Sequence, residues 1–138
     1  MGVSTPQPPE EPIMKYLCLI YIEEAKLATL TDADYQAIAG ECVEYTEQLA
    51  ASGHYLASNA LESVRTATTL RLQGGRVSMT DGPFAETKEQ LGGFYLIEAR
   101  DLNEALQIAA KIPPARLGCI EVRPVREPEV RPTLGAVS

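Results

Sequence analysis

Apolar and polar residues follow two different periods along this chain, and together they predict a mixed α+β domain. Every position of Tyr16–Ile22 is apolar or aromatic, which predicts a buried strand. From about residue 31 to residue 52, apolar side chains recur at helical spacing, at Ile38, Cys42, Tyr45 and Leu49. Further strands are predicted over 54–61, 67–72, 76–80, 94–99 and 119–125, with a second helix after residue 101.

Local signals mark the ends of both predicted helices. Thr31 and Asp34 fit a capping box at the start of the first helix, and Gly53 is expected to cap its end. Asp101 and Glu104 form a second capping box, and Pro113-Pro114 stops the second helix. That helix is expected to place four residues inward: Leu102, Ala105, Leu106 and Ala109.

The order of elements predicts the topology. A β-α-β unit is followed by a hairpin around Gln73-Gly74-Gly75 and then by a second β-α-β unit. Without the inserted hairpin this is the ferredoxin-like split βαβ pattern, an antiparallel sheet with two helices on one face. Helices would cover only one face of such a sheet, yet both alternate residue sets of 16–22 and 94–97 are apolar or aromatic. We therefore expect a second copy of the chain to cover the open face, sheet against sheet.

Length and charge narrow the function classes. The chain has 138 residues, enough for one domain, and its net charge of −7 disfavours binding to nucleic acid. The longest apolar run, Leu17–Ile22, is far shorter than the ~20 residues of a membrane span. Residues 1–13 and 127–138 are rich in proline or small residues and are interpreted as tails around a domain at 14–126. The first twelve residues lack the features of a signal peptide, so a cytoplasmic location is expected.

The chain offers little for metals or cofactors. Three cysteines, Cys18, Cys42 and Cys119, occupy apolar positions and are interpreted as reduced core residues, with a reactive thiol as the alternative. A single histidine with scattered carboxylates does not match the spacing of a transition-metal site. Gly74-Gly75 forms a turn and Gly92-Gly93 precedes a strand, so no phosphate-binding loop is predicted. We therefore expect no metal and no cofactor.

One polar stretch stands out after the hairpin. Asp81-Gly82-Pro83-Phe84 is followed by Ala85-Glu86-Thr87-Lys88-Glu89-Gln90-Leu91-Gly92-Gly93-Phe94-Tyr95. This resembles the signature of the bacterial DGPF-domain, YCII-related family, and the similarity extends over about residues 14–126. The resemblance implies a ferredoxin-like domain that dimerises through its sheets as a dimeric α/β barrel. It also implies possible enzymatic activity, because a His and an Asp facing a cleft have been proposed as catalytic in the wider group.

Three residues are candidates for acid–base catalysis. His54 is the single histidine, and with a carboxylate partner it would serve as a general base near neutral pH. Asp81 would orient the imidazole or act as an acid or base itself, although turn geometry before Gly-Pro explains an Asp equally well. Glu86 is a candidate for proton transfer, with a solvated charge run as the alternative. For His54 the alternative is a structural role beside a helix end.

Further residues are candidates for substrate binding. Lys88 would pair with a substrate carboxylate, and Arg65 and Arg71 would supply further cationic contacts. Tyr21 and Tyr95 would line a cleft, with core or dimer packing as the alternative. Phe84 is expected to anchor its loop in the core, or else to stack on a ligand.

These residues favour a small cofactor-free enzyme that uses acid–base chemistry on a small organic molecule, of isomerase or lyase type. One alternative is a ligand-binding or regulatory dimer without catalysis, linked to transcription. Another is a protein-interaction module without a small ligand. An enzyme needs His54 within reach of Asp81 or Glu86 beside a cavity, whereas a binding protein needs only the cavity.

Overall fold

The computed structural model describes residues 13–128 and Pro132. Most of both sequence-predicted tails lies outside the described residues. Two short 3₁₀ turns, Val64–Thr66 and Pro113–Leu117, connect the regular elements. In chain order these elements are β1 Met14–Ile22, α1 Glu24–Ala28, α2 Asp32–Ala51, β2 Tyr55–Ala60, β3 Thr68–Gln73, β4 Arg76–Asp81, β5 Gln90–Ala99, α3 Leu102–Ala109 and β6 Gly118–Pro124.

Four of the strands form one antiparallel sheet in the order β2-β5-β1-β6. Cys18 lies opposite Tyr95 on one side and opposite Val122 on the other, so β1 and β5 are the central strands. β3 and β4 form a separate two-stranded sheet joined by Gly74 and Gly75, whose φ angles of 54° and 77° favour glycine. The predicted mixed α+β fold with antiparallel sheets is confirmed, and the strand order is consistent with the ferredoxin-like pattern. The helix α1 is additional to the two predicted helices.

The core lies between one face of the sheet and the helices. Alternate residues of β1 and β5 point into it and are buried, as are Tyr45 and Leu49 of α2. Burial of Cys18 raises the pKa of its thiol to about 11. The buried cluster comprises Tyr16, Cys18, Ile20, Tyr45, Leu49, Tyr95, Ile97, Ala99, Ala105, Ile108, Ala109 and Ile112.

The opposite face of the sheet carries the other alternate set. Leu17 pairs with Leu96, and Leu19 pairs with Phe94. These four side chains and Tyr21 are half-buried, and no helix of the described chain packs over them. We refer to this surface, defined by Leu17, Leu19, Tyr21, Phe94 and Leu96, as the open face.

The predicted N-caps are present. The Thr31 hydroxyl accepts a hydrogen bond from the backbone N–H of Asp34 at 3.1 Å. The Asp101 carboxylate accepts one from the N–H of Glu104 at 2.9 Å. The Glu104 carboxylate in turn accepts from the N–H of Arg100, one residue before the cap, at 3.1 Å. Both helices therefore begin where the sequence predicted them to begin.

Three expectations were wrong. In α3 the buried face is formed by Ala105, Ile108 and Ala109, whereas Leu102 and Leu106 are 49% and 48% exposed. Ala105 and Ala109 belong both to the expected stripe with Leu102 and Leu106 and to the observed stripe with Ile108. The helix turns Ile108 inward, into the same buried cluster as Ile112 of the following segment. Strand β5 begins at Gln90 and not at Phe94, because the glycine pair lies within the strand. Cys119 is exposed and is not a core residue.

Candidate functional site

A pocket of about 370 Å³ lies where α1, the Val64–Thr66 turn and the 82–90 loop meet. Its volume is within the range of small-molecule sites. Arg65, Glu86 and Lys88, three of the residues singled out from the sequence, contribute to the wall. The full lining is Glu24, Ala25, Val64, Arg65, Gly82, Pro83, Glu86, Thr87, Lys88 and Gln90.

The loop is held by hydrogen bonds at both ends. At its start, the Gly82 N–H donates to Ala67 O at 2.7 Å, and the Thr69 hydroxyl donates to Gly82 O at 2.9 Å. Gly82 has a φ of 112°, a conformation that favours glycine. At its end, the Gln90 amide donates to Thr87 O at 2.8 Å and to Ala85 O at 3.2 Å. The loop is therefore fixed at the base of the hairpin and at the start of β5.

The charged side chains of the pocket differ in their existing contacts. The Glu24 carboxylate accepts from the N–H of Val64 at 3.0 Å and from the hydroxyl of Ser63 at 3.2 Å. Its oxygens are thus used in holding the turn. The Lys88 ammonium is 3.8 Å from Glu23 and 80% exposed, so this ion pair is weak. Arg65 and Glu86 are exposed, and neither side chain forms a hydrogen bond or ion pair with another described residue.

His54 lies away from this pocket. Its Nδ1 is 2.8 Å from the backbone oxygen of Glu98, so Nδ1 carries the proton and donates it. The same nitrogen is 3.8 Å from the Glu104 carboxylate. Glu98 is near the end of β5, whereas Gln90, at its start, lines the pocket. Eight residues of strand at ~3.4 Å each place these two points about 27 Å apart.

The structure does not bring His54 and Asp81 together within one chain. Asp81 is exposed at the base of the hairpin, opposite Thr68, next to the pocket residue Gly82. No hydrogen bond joins His54 to Asp81, and the contacts of the imidazole are with Glu98 and Glu104. Of the three candidates for acid–base chemistry, Glu86 alone lines the pocket.

The aromatic candidates take three different positions. Tyr95 is 5% exposed and faces the core, where its hydroxyl is 3.2 Å from the hydroxyl of Thr46. Tyr21 lies on the open face with its hydroxyl 3.5 Å from the Glu121 carboxylate. Phe84 is 77% exposed, so the expectation that it anchors the loop in the core was wrong. Its ring lies under the guanidinium of Arg71, 5.5 Å from the ring centroid, in a cation–π contact.

Glu89 is a residue whose environment the sequence did not reveal. Its Oε2 atom is buried and has no hydrogen-bond partner in the described part of the chain, although Glu86 and Lys88 of the same charge block are exposed. The pKa of the neighbouring Cys119 thiol is raised, chiefly because the Glu89 carboxylate favours its protonated form. A raised pKa keeps the thiol protonated and unreactive at neutral pH, which argues against a nucleophilic role.

The described residues contain neither a metal-binding cluster nor a membrane-spanning helix. No group of three or more His, Cys, Asp or Glu side chains in this part of the chain is arranged to hold a metal ion. Among the same residues, no helix has both the length and the apolar character needed to cross a bilayer.

The chain matches a known protein family over most of its length. The family model of the YCII-related domain matches residues 14–129. An uncharacterised protein of Rhizobium meliloti strain 1021, R00369, is 34% identical over 114 residues, which is 81% of this chain and 92% of that protein. The match includes both central strands and the loop that lines the pocket, and the chain therefore belongs to the YCII-related domain family.

Proposed function

We propose that this protein is a homodimer that binds a small organic acid in the pocket beside the 82–90 loop. The observation that carries this proposal is the meeting of Arg65, Lys88 and Glu86 in one pocket of about 370 Å³. The loop that supplies most of the wall is held by its own hydrogen bonds, so the site is largely preformed. Preformed pockets lose less conformational entropy when a ligand binds.

The available charges favour an anionic ligand. Among the described residues, Arg65 has no ion-pair partner and Lys88 has only a weak contact with Glu23. The Glu24 carboxylate is already used by two donors of the neighbouring turn. A guanidinium binds a carboxylate through two parallel hydrogen bonds, and a flexible ammonium adds a further charge-assisted bond. The net charge of −7 disfavours a large anion, so we propose a small mono- or dicarboxylate.

The open face supports the homodimer. Its central side chains are apolar, and charged residues occur around them: Lys15 opposite Glu98, and Glu121 beside Arg123. A two-fold axis through this face would place the same residues on both sides of the interface. Packing of the two sheets in this way would form the dimeric α/β barrel.

Ligand binding can be tested by thermal shift and calorimetry with a panel of small carboxylates and their uncharged amides. A ligand at 100 times its dissociation constant adds ~2.7 kcal/mol to the free energy of unfolding. We expect acids to stabilise the protein and amides to have no effect. Arg65→Gln should weaken binding at least about tenfold, since it removes a charge-assisted pair of hydrogen bonds. Lys111→Gln, a matched loss of charge outside this pocket, is the control, and equal binding by both variants would contradict the assignment.

Acid–base catalysis is the second candidate, and it rests on Glu86. This exposed carboxylate has no partner among the described residues and faces the same pocket. If the bound acid is turned over, Glu86→Gln should retain binding and lose turnover, whereas His54→Gln should affect neither. If His54→Gln abolished turnover while leaving the fold intact, the catalytic site would have to include His54.

A further inference from the structure

The hairpin formed by β3 and β4 has one apolar face that no other part of the described chain covers. Leu70 lies opposite Met79, and Leu72 lies opposite Val77. Directly opposed residues of an antiparallel pair point to the same side, so these four side chains form one ladder. Their exposed fractions are 55%, 69%, 72% and 56% respectively. We call this surface the arm ladder.

The other face of the hairpin differs in composition. Thr69 pairs with Thr80, and Arg71 pairs with Ser78. The guanidinium of Arg71 lies on the ring of Phe84, so the 82–90 loop contacts this polar side. The loop therefore does not cover the arm ladder. The ladder is nevertheless the side of the hairpin whose exposure to water is unfavourable.

An isolated two-stranded sheet is at best marginally stable in water. The hairpin is not hydrogen-bonded to the main sheet, and its base is held by bonds from Gly82 to Ala67 and from Thr69 to Gly82. These bonds set the direction in which it leaves the domain without burying its apolar side. A contiguous exposed apolar surface of this kind marks an interaction site.

We propose that the arm ladder packs against a second copy of this chain in the homodimer. Charge supports this choice of partner. The hairpin carries Arg71 and Arg76, with one acidic residue, Asp81, at its base, whereas the whole chain has a net charge of −7. The helix α2 alone contains five acidic and no basic residues: Asp32, Asp34, Glu41, Glu44 and Glu47. Both arginines lie on the polar side of the hairpin, so the complementarity between a basic arm and an acidic body guides the approach of a second copy at long range, and the apolar ladder supplies the contact.

Reach and symmetry support it as well. Six residues per strand give the hairpin a length of about 20 Å, whereas two packed sheets are about 10 Å apart. The arm is thus long enough to extend across the sheet interface onto the partner's domain. Two-fold symmetry repeats the contact, so that four side chains per chain contribute eight to the dimer. This inference rests on the homodimer proposed above and adds a second contact region outside the open face.

Hydrogen exchange over a dilution series tests which chain covers the arm. If a second copy covers it, the amide protection of residues 68–81 should fall together with the dimer fraction measured by sedimentation. If a tail of the same chain covers it, protection should not depend on concentration, and the inference is overturned. Rapid exchange of the arm amides in the intact dimer would also overturn it.

Matched substitutions give an independent measurement. Leu72→Thr with Met79→Thr should raise the dimer dissociation constant about 100-fold, because each lost apolar contact is counted twice. Gln73→Thr with Ser78→Thr introduces the same residue on the polar face and should leave the constant unchanged. Equal constants for the two double variants would refute a role for the ladder.

A third variant separates this inference from the proposed homodimer. Leu19→Asp places a charge at the centre of the open face and should give monomers. If it does so while the Leu72/Met79 variant dimerises like wild type, the sheet interface stands and the arm contact fails. If wild-type protein is monomeric at micromolar concentration, the proposed homodimer fails, and the arm contact with it.

Discussion

Gly118 offers the sharpest test of how closely the start of β6 approaches the end of β1. A Cβ atom at this position would overlap the carbonyl oxygen of Tyr21 and would lie 3.0 Å from the Oε2 atom of Glu89. The first of these neighbours is backbone, which cannot rotate away as a side chain can. We therefore expect Gly118→Ala to be strongly destabilising, although it adds a single methyl group.

The size of the destabilisation follows from the backbone oxygen of Tyr21, which has to move to admit the methyl group. Overpacking in a well-packed region typically costs 1–3 kcal/mol. Here the displaced oxygen belongs to the β1–β6 ladder, in which Ile22 lies opposite Gly118, so ladder hydrogen bonds of about 1 kcal/mol each are also weakened. The free energy of unfolding should fall by about 3 kcal/mol. With a urea slope of about 1.5 kcal/mol/M, the midpoint would fall by about 2 M.

Gly40 provides the matched control. It lies within α2, and a Cβ there would meet nothing within 4 Å. Gly40→Ala should therefore stabilise the protein by about 1 kcal/mol, because alanine is the better helix former. Both variants are to be measured by urea unfolding at one protein concentration, since the proposed dimerisation would make stability depend on concentration. A Gly118→Ala variant within 0.5 kcal/mol of wild type would refute the close approach described for β6.

Three further predictions concern the core and the helix ends. Burial raises the pKa of Cys18 to about 11, so above pH 9 the unfolded chain loses the thiol proton before the folded chain does. The free energy of unfolding should therefore be constant below pH 9 and fall by ~1.4 kcal/mol per pH unit towards pH 11. Urea titrations of Cys18→Ala should show a smaller slope over that range. Tyr45→Phe should cost about 1–3 kcal/mol in the same assay, because it leaves Ile108 O, now 2.6 Å from the Tyr45 hydroxyl, without this buried partner; an unchanged midpoint would contradict the bond. Asp101→Ala should cost about 1 kcal/mol through loss of the α3 N-cap, whereas Asn at this position should largely retain stability.

Local signals in the sequence were sufficient for much of the fold. The Thr31 and Asp101 caps depend on residues within one helical turn, and the Gly74-Gly75 turn depends on two, so all three could be predicted without tertiary contacts. Uninterrupted apolar runs likewise predicted the two central strands. The order of elements then left the ferredoxin-like arrangement as the natural topology.

The errors arose where a tertiary contact decides the outcome. Leu102 or Ile108 could each have faced the core, because both positions share a stripe with Ala105 and Ala109. The short helix α1 was missed because five residues give no clear period, and with it Glu24 was missed as a pocket residue. The position of His54 depends on the pairing of β2 with β5, which includes an irregularity between Tyr55 and Ala57 that no local pattern specifies.

The pairing of β1 has a consequence for synthesis of the chain. Both strands that pair with β1, β5 and β6, come late in the sequence. Cys18 can pair only after Tyr95, 77 residues further on, has been synthesised, and its second partner, Val122, follows later still. At 5–20 residues per second, translation of the intervening segment takes about 4–15 s. During that interval an apolar strand has left the ribosome without a partner, whereas α2 and the hairpin can form from contiguous residues. The period of greatest exposure to aggregation, and of greatest need for a chaperone, therefore precedes synthesis of the 82–95 segment.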